Sequence, residues 1–448
     1  MKKQTIYTAV IILFLAAVAF IVIKYKNQQT IKDNTVYTLL DREGTLAENN
    51  EWASTKSMAN SFLNNLKKNP KDQKSQLGLA ALYIQEARVT GNYTYYDMAA
   101  MKYVNEVLKN DSNNFEASIY KALLYISQHH FADGLAMAQK AKEINPYNAF
   151  VYGILVDGNV EMGYYDSAVA NSDKMVSIRP DLRSYSRISY LREIYGDYPG
   201  AIAAMKMAVD AGGPGEESTE WSRIQLAHLY EKTGDIKNAE MHYTIALQQR
   251  PNYPYAIAGM GKIAMAQKDY KKAIDYFTKA YTLVNDYSFK DDLIEAYLLN
   301  GEKEKADNTA RSVIDILSKD AAKGNTDESI GHYADRELAY AYLKINNYDK
   351  AFEHAMLEYN RRPENIDVNE TVAWVYYNKQ DYINALKYIT VALKTKCRNP
   401  VLLCRAGLIY FKSGDKQTAK PLLQQALAGN PNISYQLKDE STKTLQSL

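Results

Sequence analysis

Alanine recurs along this chain at a fixed interval. Ala239 and Ala273 stand 34 residues apart, Ala246 and Ala280 repeat that step, and Ala351, Ala385 and Ala419 continue it further along. A period of this size marks stacked units that bury their apolar faces against one another, and it yields one elongated domain. Without the repeat, 448 residues would imply about three globular domains. The composition, 46% hydrophobic and 24% charged, supplies the apolar surface such stacking needs.

The unit that begins near residue 220 shows how each period is built. A helical pattern around Leu226, Ala227 and Tyr230 stops at Gly234-Asp235, resumes around Ala239, Tyr243 and Ala246, and closes at Pro251. Alanines seven residues apart lie on one face of a helix, two turns apart, and let a neighbouring helix approach closely. Glycine after the first helix supplies the left-handed conformation that ends it, and Gly163, Gly196, Gly234, Gly301 and Gly414 fall at that position. Proline stops the second helix or opens the next, the place of Pro146, Pro180, Pro251, Pro363 and Pro431.

These residues resemble the tetratricopeptide repeat family, whose unit is a pair of antiparallel helices with small residues where the helices touch. The resemblance implies an all-α fold, a right-handed α-solenoid of about nine to ten helical hairpins. The markers place units near 115–148, 149–181, 182–215, 220–253, 254–286, 287–325, 332–365, 366–399 and 400–433. An earlier unit fits between Leu77 and Asn114, with an enlarged turn around Gly91, Asn92, Tyr93 and Tyr95. Irregularities are expected at Ala211–Gly215 and at Lys319–Ile330. The array is thus expected over residues 71–433. Before it, 28–70 reads as a linker and a helical cap carrying Trp52, Met58, Phe62 and Leu66; after it, 434–448 reads as a frayed polar tail.

Residues 1–27 read as a signal anchor or single transmembrane helix. Ile6 to Ile23 is an uncharged run of eighteen residues, close to what a helix needs to cross a hydrocarbon core, and Lys24 and Lys26 end it. Ala17-Val18-Ala19 also has the small-x-small form of a cleavage site, but cleavage would leave Phe20–Ile23 as an apolar terminus. The basic Lys2 and Lys3 ahead of the run favour export of the remainder. The expected location is a bacterial-type inner membrane with the array in the periplasm, or alternatively on the cytoplasmic face.

Other functions find little in the residues. The 54 basic side chains nearly balance the 52 acidic ones, leaving a net charge of +2, which argues against nucleic acid as partner. Cys397 and Cys404 read as two incidental thiols, with a disulfide open only if the array is exported. His129-His130 falls at a turn beside Asp133 and reads as solvent-facing, without a third metal ligand. Gly259-Met260-Gly261-Lys262 lacks the spacing of a phosphate loop. No metal, no cofactor and no catalytic residue is expected, and the chain reads as no enzyme.

What the resemblance implies instead is a concave groove that binds a protein or peptide. The family's partner-contacting positions on the first helix of each unit fall on Arg183, Arg187, Tyr190, Trp221, His228, Tyr255 and Lys262, and further on at Tyr333, Arg336, Tyr340, Trp374 and Tyr377. Asp291, Asp292 and Glu295 lie on the unit between, so the groove reads as charge-segmented. The family's lysine and asparagine clamp for terminal carboxylates is not reproduced. The expected role is a membrane-tethered scaffold in envelope assembly or secretion. The alternatives are a non-catalytic subunit or regulator of an envelope enzyme, and self-association through the solenoid.

Overall fold

The computed structural model describes residues 2–448 apart from 43, 48, 49, 285 and 325–331. Helix α1 (Lys2–Asn34) leads through an extended segment and a short 3-10 turn (Gly44–Ala47) to α2 (Asn50–Lys68). Five hairpins follow: α3 (Gln73–Thr90) with α4 (Tyr93–Asn110), α5 (Phe115–Ser127) with α6 (Phe131–Ile144), α7 (Ala149–Met162) with α8 (Tyr165–Ile178), α9 (Leu182–Ile194) with α10 (Tyr198–Asp210), and α11 (Glu217–Lys232) with α12 (Ile236–Gln249). Five more are α13 (Pro254–Ala266) with α14 (Tyr270–Leu283), α15 (Tyr287–Leu299) with α16 (Lys303–Gly324), α17 (Asp335–Lys344) with α18 (Tyr348–Arg361), α19 (Ile366–Asn378) with α20 (Tyr382–Ala392), and α21 (Pro400–Lys412) with α22 (Lys416–Leu427). Helix α23 (Tyr435–Gln446) ends the chain. The two helices of each hairpin pack together and the second packs on the first of the next, as a solenoid requires.

The periodic alanines sit where the helices touch. Ala239, Ala273, Ala351, Ala385 and Ala419, with Ala246 and Ala280, are 0% exposed. Opposite them, glycines admit aromatic rings: a Cβ on Gly261 would stand 2.6 Å from the Phe277 ring, and one on Gly259 would stand 2.3 Å from that of Tyr243.

All ten hairpin turns use one left-handed residue. Gly91, Gly163, Gly196, Gly234, Gly301 and Gly414 supply six, while His129, Lys268, Asn346 and Gln380 take the same conformation in the others. The next residue is usually Asp or Asn, whose side chain caps the second helix: Asp235 accepts from the amide of Asn238 at 3.1 Å, and Asp415 from that of Thr418 at 3.0 Å.

Several expectations are corrected. The 23 α-helices among the described residues exceed what nine to ten hairpins account for, because α1, α2 and α23 stand outside the pairs. The turn at Gly91–Tyr95 is not enlarged, since α3 and α4 each run to 18 residues and only Gly91 and Asn92 separate them. The expected interruption from Lys319 is helical up to Gly324, with its remainder to Ile330 outside the described residues. The tail is no frayed cap: α23 buries Leu437 and Ser441 against α21 and α22. Before the array, α2 packs on α3, burying Trp52 and Ala59 and leaving Met58 exposed.

Among the described residues no helix is long and apolar enough to cross a membrane. The expected span from Ile6 to Ile23 lies in α1, but the side chains of Ile6 and Ala9 are outside the described ones, so the fold does not carry the expectation of a spanning helix.

The superhelix closes on itself with a fixed register. The turn of the α5/α6 hairpin meets the segment entering α17, where the Tyr333 amide donates to the Gln128 carbonyl at 3.1 Å and the Tyr333 ring stacks on His130 at 4.0 Å. The α7/α8 turn meets the segment entering α19, where Asn365 donates to the carbonyls of Val160 and Glu161 and the Tyr165 hydroxyl accepts from the Ile366 amide at 2.9 Å. The α9/α10 turn meets the segment entering α21, with Cys397 Sγ 3.7 Å from the Glu193 carbonyl. The α11/α12 turn meets the segment entering α23, where the Asn432 amide donates to the Glu231 carbonyl at 3.0 Å. Each turn thus docks on the junction six hairpins later, and a seam runs up the wall of the molecule.

Candidate functional site

Closure of the seam converts a groove into a deep cavity of about 2560 Å³ that stays open to solvent. Its walls come from the first helices α3, α5, α7, α9 and α11, from α16 and the start of α15, and from the segment ahead of α2. Contacts across the interior complete it: Arg88 pairs with Glu217 at 2.9 Å, and the Thr94 hydroxyl donates to Asp320 at 3.3 Å. The segment ahead of α2 is fixed by Arg42, which pairs with buried Glu86 at 2.5 Å and with Glu51 at 3.1 Å. Such a pair locks position more than it adds stability, because both charges leave water.

Five of the groove positions read from the sequence meet on this cavity: Arg183, Arg187, Tyr190, Trp221 and His228. Their chemistry differs. Arg187 is engaged, pairing with Asp157 at 2.5 Å and donating to the Gly153 carbonyl at 3.0 Å. Arg183 lies over the Phe150 ring at 4.8 Å and is exposed to the interior. Tyr190 is 41% exposed and Trp221 37%, so both present ring surface to the lumen. The edge of Trp221 meets Tyr255, ring centre to ring centre at 5.0 Å. Enclosure within the superhelix, together with nearby Lys262 and Lys232, holds His228 well below the usual histidine range. Lys262 is kept charged by Asp292.

The remaining positions lie elsewhere. Tyr333 is in the seam, under the Arg361 guanidinium at 4.3 Å. Arg336 and Tyr340 join a network with Thr371 and Arg405, whose Nη1 donates to the Tyr340 hydroxyl at 2.7 Å. Trp374 stacks on Tyr377 at 4.7 Å, and the Tyr377 hydroxyl donates to Glu440 of α23 at 2.6 Å. Helix α23 therefore covers that end of the expected groove. Of the acidic positions, Asp291 pairs with Lys344, and Glu295 accepts from the Tyr435 amide at 2.7 Å.

Sequence reasoning placed His129-His130 in solvent at an isolated turn; the seam encloses both. His130 is buried, and His129 stands 4.2 Å from the His332 ring and 2.9 Å from the Tyr333 carbonyl. Burial lowers both His129 and His332 to about 4. Asp97, buried in the cavity wall and accepting from Ser127 at 2.8 Å, is raised to about 7 by the same cause. None of these had a sequence signal, because the residues that enclose them are distant in the chain. Cys397 and Cys404 are free and buried, and burial pushes the Cys397 thiol up to about 12, so neither reads as a reactive group. Among the described residues no group of three acidic, histidine or cysteine side chains could hold a metal ion.

Known proteins agree with this architecture. Sequence profiles described as tetratricopeptide repeat match residues 224–288 and 401–433. Over these two segments the chain matches tetratricopeptide repeats. The repeat region is similar to a TPR repeat-containing protein of Methanocaldococcus jannaschii, 22% identical over 370 residues, which are 77% of this chain and 62% of that one. It is also similar to Superkiller protein 3 of Saccharomyces cerevisiae, 29% identical over 89 residues, 19% of this chain and 6% of that one. The chain thus spans less than two thirds of either relative. A tetratricopeptide repeat protein of Thermus thermophilus is 21% identical, with 39% of this chain and 92% of that chain covered at a TM-score of 0.35. At that score the superposition adds nothing to the hairpins described above.

Proposed function

We propose that this chain is a non-catalytic scaffold that binds a stretch of polypeptide inside its tetratricopeptide superhelix. One observation carries the reading: the cavity wall presents Arg183, Tyr190 and Trp221, side-chain types that dominate binding hot spots, each of them an exposed residue. Arg183 is suited to a carboxylate or a carbonyl, while Tyr190 and Trp221 offer broad faces at low entropic cost.

The reading includes a tether. From Val10 to Leu15, six consecutive side chains of α1 are exposed, so apolar groups point outward on every side of the helix, and among the described residues α1 shows no extensive packing on a hairpin. A bilayer would cover them. On this reading the scaffold stands at a bacterial-type inner membrane, with its repeats on the periplasmic side and a role in envelope assembly or secretion.

Photocrosslinkers placed at Tyr190 and Trp221 in the full-length chain, in cells, test the site. Capture of polypeptide from these positions, and none from the outward-facing Ile383, is the expected result; equal capture from all three would end it. Protease protection of the repeats in intact cells, lost on opening the outer compartment, tests the tether and its orientation.

A further inference from the structure

Charge inside the cavity is lopsided. Aspartate and glutamate among its lining side chains outnumber lysine and arginine nearly two to one. The cations present are mostly engaged: Arg42 pairs with Glu86, Arg88 with Glu217, Arg187 with Asp157, Lys232 with Glu193 and Lys319 with Asp315. Among the described residues this leaves Arg183, seated on Phe150, as the lining cation without a carboxylate partner.

The excess of negative charge gathers where α15 and α17 meet the α5/α6 turn. Asp286 and Glu337 both bear on the Tyr287 hydroxyl, with Arg336 opposing them there, and Glu337 and Asp320 both bear on the His332 ring. Glu337 Oε2 is shut off from water and has no hydrogen-bond partner among the described residues. A second, independent observation comes from the α5/α6 turn that meets this element. Gln128 is 3% exposed and lines the same cavity, yet neither its amide nitrogen nor its amide oxygen has a partner among the described residues. The backbone bond from Tyr333 to Gln128 holds the two elements together, four residues ahead of Glu337.

Glu337 Oε2 and the Gln128 amide oxygen lack a donor, while the Gln128 amide nitrogen lacks an acceptor, so a cationic side chain answers the two oxygens and a backbone carbonyl of the same polypeptide can answer the nitrogen. Ammonium and guanidinium ions bring several donors and a positive charge, and Tyr287 adds an aromatic face on which such an ion can rest.

We propose that the partner polypeptide enters the cavity through a lysine- or arginine-bearing stretch, with one cationic side chain held between Glu337 and Gln128 against Tyr287. This rests on the polypeptide-binding reading above and names the chemistry of its ligand.

The test uses the purified full-length chain and two fluorescein-labelled peptides of equal length, one alternating lysine with alanine and one alternating glutamate with alanine. Anisotropy is expected to show tighter binding of the lysine peptide by about tenfold or more, weakening as salt rises. Glu337→Gln, nearly isosteric, is expected to lower that affinity about tenfold with an unchanged melting temperature, and Gln128→Ala to lower it as well. Equal affinity for both peptides, with crosslinking at Trp221 intact, would overturn the charge assignment and leave the polypeptide-binding reading standing. Binding of neither peptide together with loss of specific crosslinking would overturn both. An unchanged affinity in both variants would overturn the placement at Glu337 and Gln128.

Discussion

The side-chain amide of Asn365 donates to the Glu161 carbonyl at 2.9 Å across 204 residues of sequence. The same side chain accepts from the amides of Asp367 and Val368, so one residue both caps α19 and closes the superhelix. These roles separate by substitution. Asn365→Asp keeps the cap acceptor and loses the donor to Glu161; Asn365→Ala loses both. The aspartate variant is expected to lose about 1–3 kcal/mol, the usual result of stranding buried carbonyls, and the alanine variant about 1 kcal/mol more. Urea unfolding gives the energies. Small-angle scattering is expected to show a longer particle for both, and an unchanged maximum dimension would mean that the seam does not hold the superhelix closed.

Two glycines of the same sequence signature do different work. Gly234 (φ +82°) faces the Gly429 carbonyl, which would lie 1.7 Å from an added Cβ; Gly414 (φ +90°) has nothing within 4 Å. Gly414→Ala meets only the left-handed backbone penalty, about 1–2 kcal/mol. Gly234→Ala adds a clash between two main chains and must part the seam. Its loss of stability is expected to be at least about 1 kcal/mol larger, the usual scale of overpacking, and equal melting temperatures for the two variants would contradict the close approach.

Acid is expected to open the seam. His129 and His332 are held neutral by burial, at about 4 in the fold against about 6.5 in the unfolded chain. Their folded pKa is depressed, so the unfolded state binds more protons in that window, and their contribution is complete above about 6.5 and lost as pH falls toward 4. Arg336 and Arg362 face His129 and oppose its protonation, while Glu358, Glu337 and Asp320 favour protonation of one or the other ring. The double variant His129→Gln, His332→Gln is expected to flatten the acid limb of a plot of melting temperature against pH. An unchanged slope would remove the seam histidines from the account.

Asp97 acts in the opposite sense over an overlapping range. Burial raises its carboxyl to about 7, so the folded state holds a proton that the unfolded chain releases near 4. Its contribution is complete below about 4 and declines as pH rises to 7. Asp97→Asn keeps an acceptor for Ser127 and removes the titration, so the variant is expected to gain stability over wild type above pH 7 and little below pH 4. A constant difference across pH would show that the carboxyl does not titrate in this window.

The hairpins were legible because their determinants are local. Ala239 and Ala246 lie on one helix, and Gly234 ends the helix just before them, so spacing alone reveals the unit. The turns at His129, Lys268, Asn346 and Gln380 were harder to see, since these side chains reach the left-handed conformation without glycine. The cavity was only half legible. Arg183, Tyr190 and Trp221 follow from position on the first helix, but their enclosure depends on how many hairpins complete one turn, a sum of small rotations with no residue of its own. For the same reason Gln128 and Glu337 carried no signal, and Tyr377 read as groove until α23 was seen to cover it. The tail misled because its core-facing apolar residues, Leu437 and Leu445, are too sparse to stand out from polar neighbours.

The packing that generates the superhelix can be tested at one alanine. Ala239 is fully buried in the cluster that also holds Tyr243, Leu226, Ala227 and Ala256, and close packing of such an interior makes a larger side chain displace its neighbours. Ala239→Leu is expected to lose about 1–3 kcal/mol through overpacking while helical content stays the same, because the hairpin can splay without unwinding. The consequence reaches further than the site itself. Splaying α11 from α12 tilts every later hairpin, and the α11/α12 turn would miss the segment entering α23 that it now meets through Asn432 and Glu231. The variant is therefore expected to combine a lower melting temperature by circular dichroism with faster amide exchange at Asn432. Protection at Asn432 equal to wild type would show that rotation between neighbouring hairpins does not set the register of the seam.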